Sequence, residues 1–239
     1  GIDVKIVASP LVKLPYVLVT RKEVRRPEDL TGKALGIARA GDLSDRLSRA
    51  VVKRLGIAPE AVTIRPIGGS QGERYQAMAA GIVHGVIITA PLDVRAKNEG
   101  YNVMFRLIEL NIPFIYSSLH TSHKMLREHP EVVQRAVAAL AEIVYFVEKN
   151  PDKAKASIGK AMRTKDPEAL QSAYDVYARE ILDRTMVVPG KAVADTIELA
   201  RESGTPVRRK PEDIYDNSFV NNLEKSGFLR EIWGKENYK

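Results

Sequence analysis

The segment from Asp29 to Pro91 constrains the fold of this chain more than any other, because short apolar strands and amphipathic helices alternate along it. Strands are predicted at 34–38, 62–66 and 83–89, and the apolar residues between them follow the helical period. Since each strand returns through a helix, the strands should be parallel, with right-handed crossovers. An open sheet of this kind binds ligands at the carboxyl ends of its strands, so functional residues are expected in the turns that follow them.

Small polar residues occupy the three turns of this segment. The first turn contains Gly41, Asp42 and Ser44, the second contains Gly69, Ser70 and Gln71, and the third contains Thr89. Glycine allows the backbone to approach a ligand closely, and the N-terminus of a helix attracts an anion. We therefore predict that these residues bind a ligand, with helix capping and plain turn formation as the alternatives. If Asp42 faces the ligand, that ligand should also carry a hydrogen-bond donor or a cationic group.

The flanking parts of the chain could supply the opposite wall of such a site. Strands are predicted at 4–8, 16–20 and 103–107, and the chain beyond a strand at 114–119 is mainly helical. The candidate wall residues are Ser9 and Pro10 in a loop after the first strand, Tyr16, Tyr116 and Ser117. A tyrosine can stack on a solute while its hydroxyl forms a hydrogen bond, but packing in the core is an equal alternative for both tyrosines.

Composition argues against several other kinds of site. The 239 residues contain no cysteine, which removes disulfides, thiolate nucleophiles and cysteine metal sites. The formal charge of +7 favours acidic partners, yet the basic residues are scattered among 30 acidic ones, and nucleic acid is not expected as a partner. The glycine turn lacks the phosphate-loop and dinucleotide patterns, so no cofactor is predicted. His120, His123 and His129 lack a fourth ligand, so loop or capping roles are favoured and no metal site is predicted.

Several pieces of the chain together resemble a known family. They are RPEDLTGKALGI, VTIRPIGGSQGERYQAMAAGIVHGVI, HPEVVQRAVAAL, NPDKA and DNSFV. In order and spacing they are similar to the NMT1/THI5-like and SsuA-like extracytoplasmic solute-binding proteins of ABC importers for nitrate, sulfonates, taurine and thiamine-precursor pyrimidines. The resemblance implies an α/β fold of the type II periplasmic-binding-protein kind, with two lobes of mainly parallel sheet, two hinge strands, and the solute in the cleft between the lobes.

The resemblance also implies boundaries and partners. The first lobe is expected to comprise 1–22 and 104–239, and the second lobe 23–103. Family members usually begin with a further strand, helix and strand, so the first lobe is expected to be incomplete and to expose sheet edges through which a homodimer could form. The implied partners are a small anionic or aromatic organic solute and a membrane permease, at an extracytoplasmic location with any export signal removed or absent from these residues.

The resemblance implies binding without catalysis, but two alternatives stay open. Proteins of this architecture include enzymes. A pyrimidine synthase with a cysteine-rich motif and a desulfinase with a cysteine nucleophile do not fit a chain without cysteine, whereas a cofactor-free decarboxylase does. The second alternative is a ligand-sensing domain of a regulator or kinase. A further departure from the family is His84-Gly85, where an acidic residue and alanine are common; this position bears on packing more than on binding.

Overall fold

The computed structural model describes residues 3–202 and 206–234. Its strands are, in chain order, β1 (Val4–Leu11), β2 (Tyr16–Thr20), β3 (Ala34–Ile37), β4 (Thr63–Pro66), β5 (Gly85–Thr89), β6 (Asn102–Arg106) and β7 (Ser117–Ser122). Its α-helices are α1 (Leu43–Arg54), α2 (Gln71–Ala79), α3 (Leu92–Asn98), α4 (His123–Glu128), α5 (Pro130–Lys149), α6 (Pro151–Met162), α7 (Pro167–Tyr174), α8 (Gly190–Glu202), α9 (Pro211–Ile214), α10 (Ser218–Lys225) and α11 (Phe228–Trp233). A π-helical turn (Asp175–Glu180) follows α7 directly.

The chain forms two compact units. Unit 1 comprises the described parts of Gly1–Leu14, Ile112–Arg163 and Tyr174–Lys239, and unit 2 comprises Pro15–Asn111 and Thr164–Ala173. These boundaries differ from the expected ones at 22 and 104. The reason is that β2 and β6, expected as hinge strands, pair with each other and β2 pairs with β5, so both belong to the sheet of unit 2.

Unit 2 is built on a five-stranded mixed sheet with the order β4-β3-β5-β2-β6. As predicted, β3 runs parallel to both β4 and β5, because helices α1 and α2 return the chain to the same end of the sheet. β2 runs antiparallel to its neighbours β5 and β6. Tyr75 and Met78 of α2 are fully buried against Val86 and Ile88 of β5, which gives this unit its core.

Unit 1 has a two-stranded antiparallel sheet of β1 and β7, so the expectation of mainly parallel sheets does not hold for this unit. The other edge of β1 is covered by chain: Asp183 N–H donates to the Pro10 carbonyl at 2.8 Å, and Asp216 N–H donates to the Ile6 carbonyl at 2.8 Å. The expected exposed edge is therefore wrong for β1, because later loops bond to it. The homodimer stays a prediction.

The core of unit 1 lies under the long helix α5. This helix buries Val133, Val137, Ala141 and Val144, a stripe at helical spacing, in a cluster that includes Trp233 of α11. Within the described ranges, none of the helices is both long enough and apolar enough to cross a bilayer.

Candidate functional site

Three turns meet at one edge of the sheet in unit 2. Because β3, β4 and β5 are parallel, their last residues Ile37, Pro66 and Thr89 lie at the same end of the sheet. Backbone bonds tie the first turn to the second, with Ile67 N–H donating to the Ile37 carbonyl at 2.9 Å and Gly68 N–H donating to the Ala38 carbonyl at 3.2 Å. The structure therefore brings together the candidate residues predicted in these turns, an arrangement that we call the turn edge.

The first turn is closed by its own side chains. Ser44 Oγ donates to Asp42 Oδ1 at 2.7 Å and accepts from Ala38 N–H at 2.8 Å, and Asp42 Oδ1 also accepts from Asp45 N–H at 3.0 Å as the cap of α1. Gly41, with φ +76°, donates its N–H to Asp45 Oδ2 at 2.7 Å. Ser44 has a single hydroxyl proton, so the hydroxyl cannot donate to a ligand while this bond persists.

The second turn is a capping box. Ser70 Oγ accepts from Glu73 N–H at 3.3 Å, and Ser70 N–H donates to Glu73 Oε2 at 2.6 Å. The Ser70 N–H is the main cause that lowers the pKa of the Glu73 carboxyl. Gly69 has φ +74°, and a Cβ added there would lie 2.9 Å from the side chain of Glu73. Glycine is thus required both by backbone conformation and by the position of the capping carboxylate.

The third turn is hydrogen-bonded to the second. Gln71 Oε1 accepts from Thr89 N–H at 2.8 Å and from Thr89 Oγ1–H at 3.1 Å. Thr89 is 7% exposed, so the two bonds satisfy donors that have little access to water. The sequence predicted both residues as ligand contacts, whereas the structure pairs them with each other.

Arg74 is the residue at this edge that the sequence prediction missed. It is 7% exposed, its Nη1 donates to the Gly69 carbonyl at 2.7 Å, and its Nε is buried without a hydrogen-bond partner. Burial lowers the pKa of the Arg74 guanidinium, while the negative charge of Asp42, first among the opposing groups, and that of Glu73 raise it. Two features of the sequence could have identified Arg74. It is a cation in the first turn of a helix, where the helix dipole disfavours positive charge, and it lies four residues before the buried Met78 on the same face.

The wall residues divide between the units. Tyr16 begins β2 and pairs directly with Thr89, so it belongs to unit 2 at the turn edge and not to the first lobe as expected. Ser9 and Pro10 lie within β1 and are buried, which corrects their expected placement in a loop. The strand extends to Leu11 because β7 and the loop at Asp183 provide bonding partners for it.

Unit 1 brings its own candidate residues together. Ser9 Oγ donates to the Ser117 carbonyl at 3.0 Å, so this hydroxyl has a partner inside the sheet. Tyr116 stacks on Tyr177 with ring centroids 5.9 Å apart and an interplanar angle of 25°, and their hydroxyl oxygens are 3.5 Å apart. Both tyrosines thus form an aromatic pair beside β7, which agrees with the packing alternative as well as with a stacking surface.

A separate cavity of about 350 Å³ lies in unit 2. Its lining consists of Pro91, Leu92, Arg95, Asn98, Glu99, Thr164, Asp166 and Ala169. None of these is among the ligand-binding residues predicted from the sequence. The polar groups in its wall have partners, since Arg95 Nε donates to Glu99 at 2.7 Å and Asn98 donates to Glu168 at 2.8 Å. Unlike Arg74 at the turn edge, none of the described residues that line this cavity has a buried side-chain nitrogen or oxygen without a hydrogen-bond partner.

The three histidines considered as metal ligands lie in unit 1. His120 is on β7, His123 begins α4 with its Nδ1 2.6 Å from Asp3 Oδ1, and His129 precedes α5. In the part of the chain that the structure describes, no three histidine, aspartate or glutamate side chains are grouped so that they could hold a metal ion.

Comparison with known proteins gives one family and several related folds. A family described as NMT1/THI5 like matches residues 1–154, more than half of the chain. No curated protein sequence matches it. Of the solved structures, the periplasmic aliphatic sulphonate binding protein SsuA from Escherichia coli has a TM-score of 0.70 at 16% identity, over 90% of this chain and 73% of that one.

Two further structures are similar over most of their length. The alkanesulfonate-binding protein SsuA from Xanthomonas axonopodis pv. citri, bound to MOPS, has a TM-score of 0.67 at 15% identity, over 91% of this chain and 75% of that one. The desulfurization enzyme DSZB has a TM-score of 0.71 at 16% identity, over 94% of this chain and 80% of that one. At such identities the likeness shows the fold, and it confirms the predicted α/β class, here with mixed sheets.

Proposed function

The chain belongs to the NMT1/THI5-like family, and we propose that it is a solute-binding protein that captures a small anionic or aromatic organic molecule and delivers it to an ABC permease. The observation that carries this proposal is the turn edge, where the ends of three parallel strands and the beginnings of α1 and α2 come together in unit 2. Open α/β sheets bind small molecules at such an edge.

The chemistry of the turn edge favours binding over turnover. The hydroxyl of Ser44 donates to the Asp42 carboxylate, and the hydroxyl of Thr89 donates to the Gln71 amide oxygen. Neither hydroxyl is paired with a histidine, the usual base that activates a serine or threonine nucleophile. Side chains held by bonds within the turns give a preformed surface, which suits recognition of a ligand.

The similarity to two SsuA proteins supports a solute with an acidic group, since these are described as sulfonate-binding proteins. By the same likeness we propose an extracytoplasmic location and a membrane permease as the partner that receives the solute. The similarity to DSZB supports a second candidate, an enzyme that acts on a small organic acid. An enzyme of this fold would have to work without a cysteine from these residues.

A thermal-shift screen of sulfonates, carboxylates and pyrimidines tests the proposed function. A ligand that binds only the folded state and is present at about 100 times its Kd adds about 2.7 kcal/mol to the free energy of unfolding. For a chain of this size that corresponds to an increase in Tm of about 5–10 °C. If no member of the three classes raises Tm and native mass spectrometry of the purified protein finds no bound small molecule, the proposal is wrong.

The fate of the bound compound distinguishes an enzyme from a binding protein. Each compound that raises Tm is incubated with the protein and then analysed by mass spectrometry. We expect it to be recovered unchanged. Loss of carbon dioxide from an aromatic acid, dependent on protein concentration, would favour the decarboxylase over the binding protein.

A further inference from the structure

We propose that Arg74 binds the acidic group of the solute, and that the solute is therefore a carboxylate or sulfonate and not a neutral aromatic molecule. The inference rests on the proposed function and names the chemical class that the turn edge selects. Its starting observation is a buried positive charge with which no carboxylate of the described residues forms an ion pair.

Burial distinguishes Arg74 from other arginines of unit 2. The side chain of Arg49 is 59% exposed and bonds Asp45, and that of Arg95 is 54% exposed and bonds Glu99. Arg74 is 7% exposed, and no carboxylate of the described residues forms an ion pair with it. Asp42 acts on Arg74 only through its electric field, since Asp42 Oδ1 accepts hydrogen bonds from Ser44 and Asp45 in the first turn of α1. A buried charge is strongly unfavourable unless a partner of opposite charge compensates it.

The position of the guanidinium suits an oxyanion. Its Nη1 is anchored on the Gly69 carbonyl in the turn before α2, a helix of nine residues, while Nε has no acceptor. An arginine presents parallel N–H donors in a fork that matches the two oxygens of a carboxylate or two oxygens of a sulfonate. The N-terminus of α2 adds a partial positive charge at the same place. Together these groups favour an anion over its neutral analogue.

The test uses pairs of probes that differ in charge but not in shape. These are benzoate with benzamide, and benzenesulfonate with methyl phenyl sulfone; MOPS serves as an aliphatic sulfonate because a related SsuA structure holds it. Titration calorimetry at constant ionic strength measures the Kd of each. We expect the protein to bind at least one of the anions and to bind its neutral counterpart at least about 10-fold more weakly, as loss of a charge-assisted bond implies.

The variants separate a specific contact from a general effect of charge. Arg74→Gln should weaken anion binding by about 10–100-fold. Arg74→Lys keeps the charge but not the forked donors, so its Kd should lie between those of the unaltered protein and Arg74→Gln. The matched control is Arg65→Gln, since Arg65 is exposed and also has one bond to a backbone carbonyl, that of Ile82 at 3.1 Å. Removing this charge should change the Kd by less than about 2-fold, because exposed charges are screened.

A measurement on the unaltered protein covers the case in which Arg74→Gln does not fold. The Nε–H resonance of Arg74, assigned with the Arg74→Lys variant, should shift on addition of the bound anion because Nε is the donor without an acceptor. The inference is overturned if an anion binds the folded Arg74 variants with an unchanged Kd, or if it binds the unaltered protein without shifting this resonance. Binding of neutral probes alone overturns it while leaving the proposed function intact, and no binding of any probe class in the thermal screen overturns both.

Discussion

The bond pair between Gln71 and Thr89 allows a quantitative test of the turn edge. Replacing Gln71 by alanine removes the one oxygen that accepts both the N–H and the hydroxyl of Thr89. A buried donor left without an acceptor costs about 1–3 kcal/mol, whereas the loss of one neutral hydrogen bond costs about 1 kcal/mol. Thr89 is 7% exposed, so its amide belongs to the first case, while its hydroxyl can rotate toward another acceptor.

From these contacts we expect Gln71→Ala to lower the free energy of unfolding by about 2 kcal/mol. Thr89→Val keeps the amide bond and loses only the hydroxyl bond, so about 1 kcal/mol is expected. In the double variant the hydroxyl bond is already absent once Gln71 is replaced. The two effects should therefore fail to add, with a coupling energy of about 1 kcal/mol.

Urea unfolding followed by two signals measures these values. The sequence has one tryptophan, Trp233, which is buried in unit 1, so its fluorescence follows that unit, whereas far-UV circular dichroism follows helices and strands of both units. A loss confined to unit 2 should appear in the dichroism. Hydrogen exchange of the Thr89 amide gives a local readout, with faster exchange expected in Gln71→Ala and not in Thr89→Val.

Two results would refute the assignment of these two hydrogen bonds between Gln71 and Thr89. One is additivity of the two substitutions within about 0.3 kcal/mol, the usual limit for residues that do not interact. The other is a Thr89 amide that stays protected in Gln71→Ala, because it would show that another group accepts this bond. A change of equal size in both variants would likewise contradict the assignment of the amide as the more costly group.

Two other substitutions test the packing of Gly85, the first residue of β5, and the protonation of His84, which precedes it. Gly85→Ala places a Cβ 2.7 Å from Leu35 Cδ2 and 3.1 Å from the Val19 carbonyl, so we expect a loss of about 1–3 kcal/mol in urea unfolding. In the control Gly72→Ala, inside α2, the added Cβ would lie 3.8 Å from Ser70 Oγ, an ordinary van der Waals contact, so this variant should be neutral or stabilising. Equal losses in both variants would contradict the packing argument. Burial, then the charge of Lys33, lowers the pKa of His84, whose Nδ1 accepts from Ala34 N–H at 3.2 Å. As pH drops, His84 is protonated in the unfolded chain before it is protonated in the folded one, so the free energy of unfolding should fall below the ordinary value of 6.5 and level off below the lowered pKa. The urea midpoint of His84→Asn should fall less over this pH range. An unchanged slope of midpoint against pH would refute the role of His84.

The positions of most elements could be predicted because they depend on local patterns. The β-branched run of β2 predicted a strand at the observed bounds, and alternation of strands with helices predicted the parallel pairing of β3 with β4 and β5. β1 was predicted too short, since its extension through Ser9 and Pro10 depends on bonds to residues far along the chain. The bounds of the two compact units also differ from the expected lobe boundaries, because pairing decides which sheet a strand joins.

The turns of the candidate site could be located from the amino-acid sequence alone, since glycine, capping residues and the ends of apolar runs are local signals. The role of each turn residue depends on how the elements pack. The tertiary structure bonded Ser44 to Asp42 and Thr89 to Gln71, and it buried Arg74 at the same edge with Nε unpaired. Hydrogen-bond partners and burial arise when elements distant in sequence pack together, so the burial of Arg74 and the unpaired Nε are visible only after the sheet has placed three turns beside it.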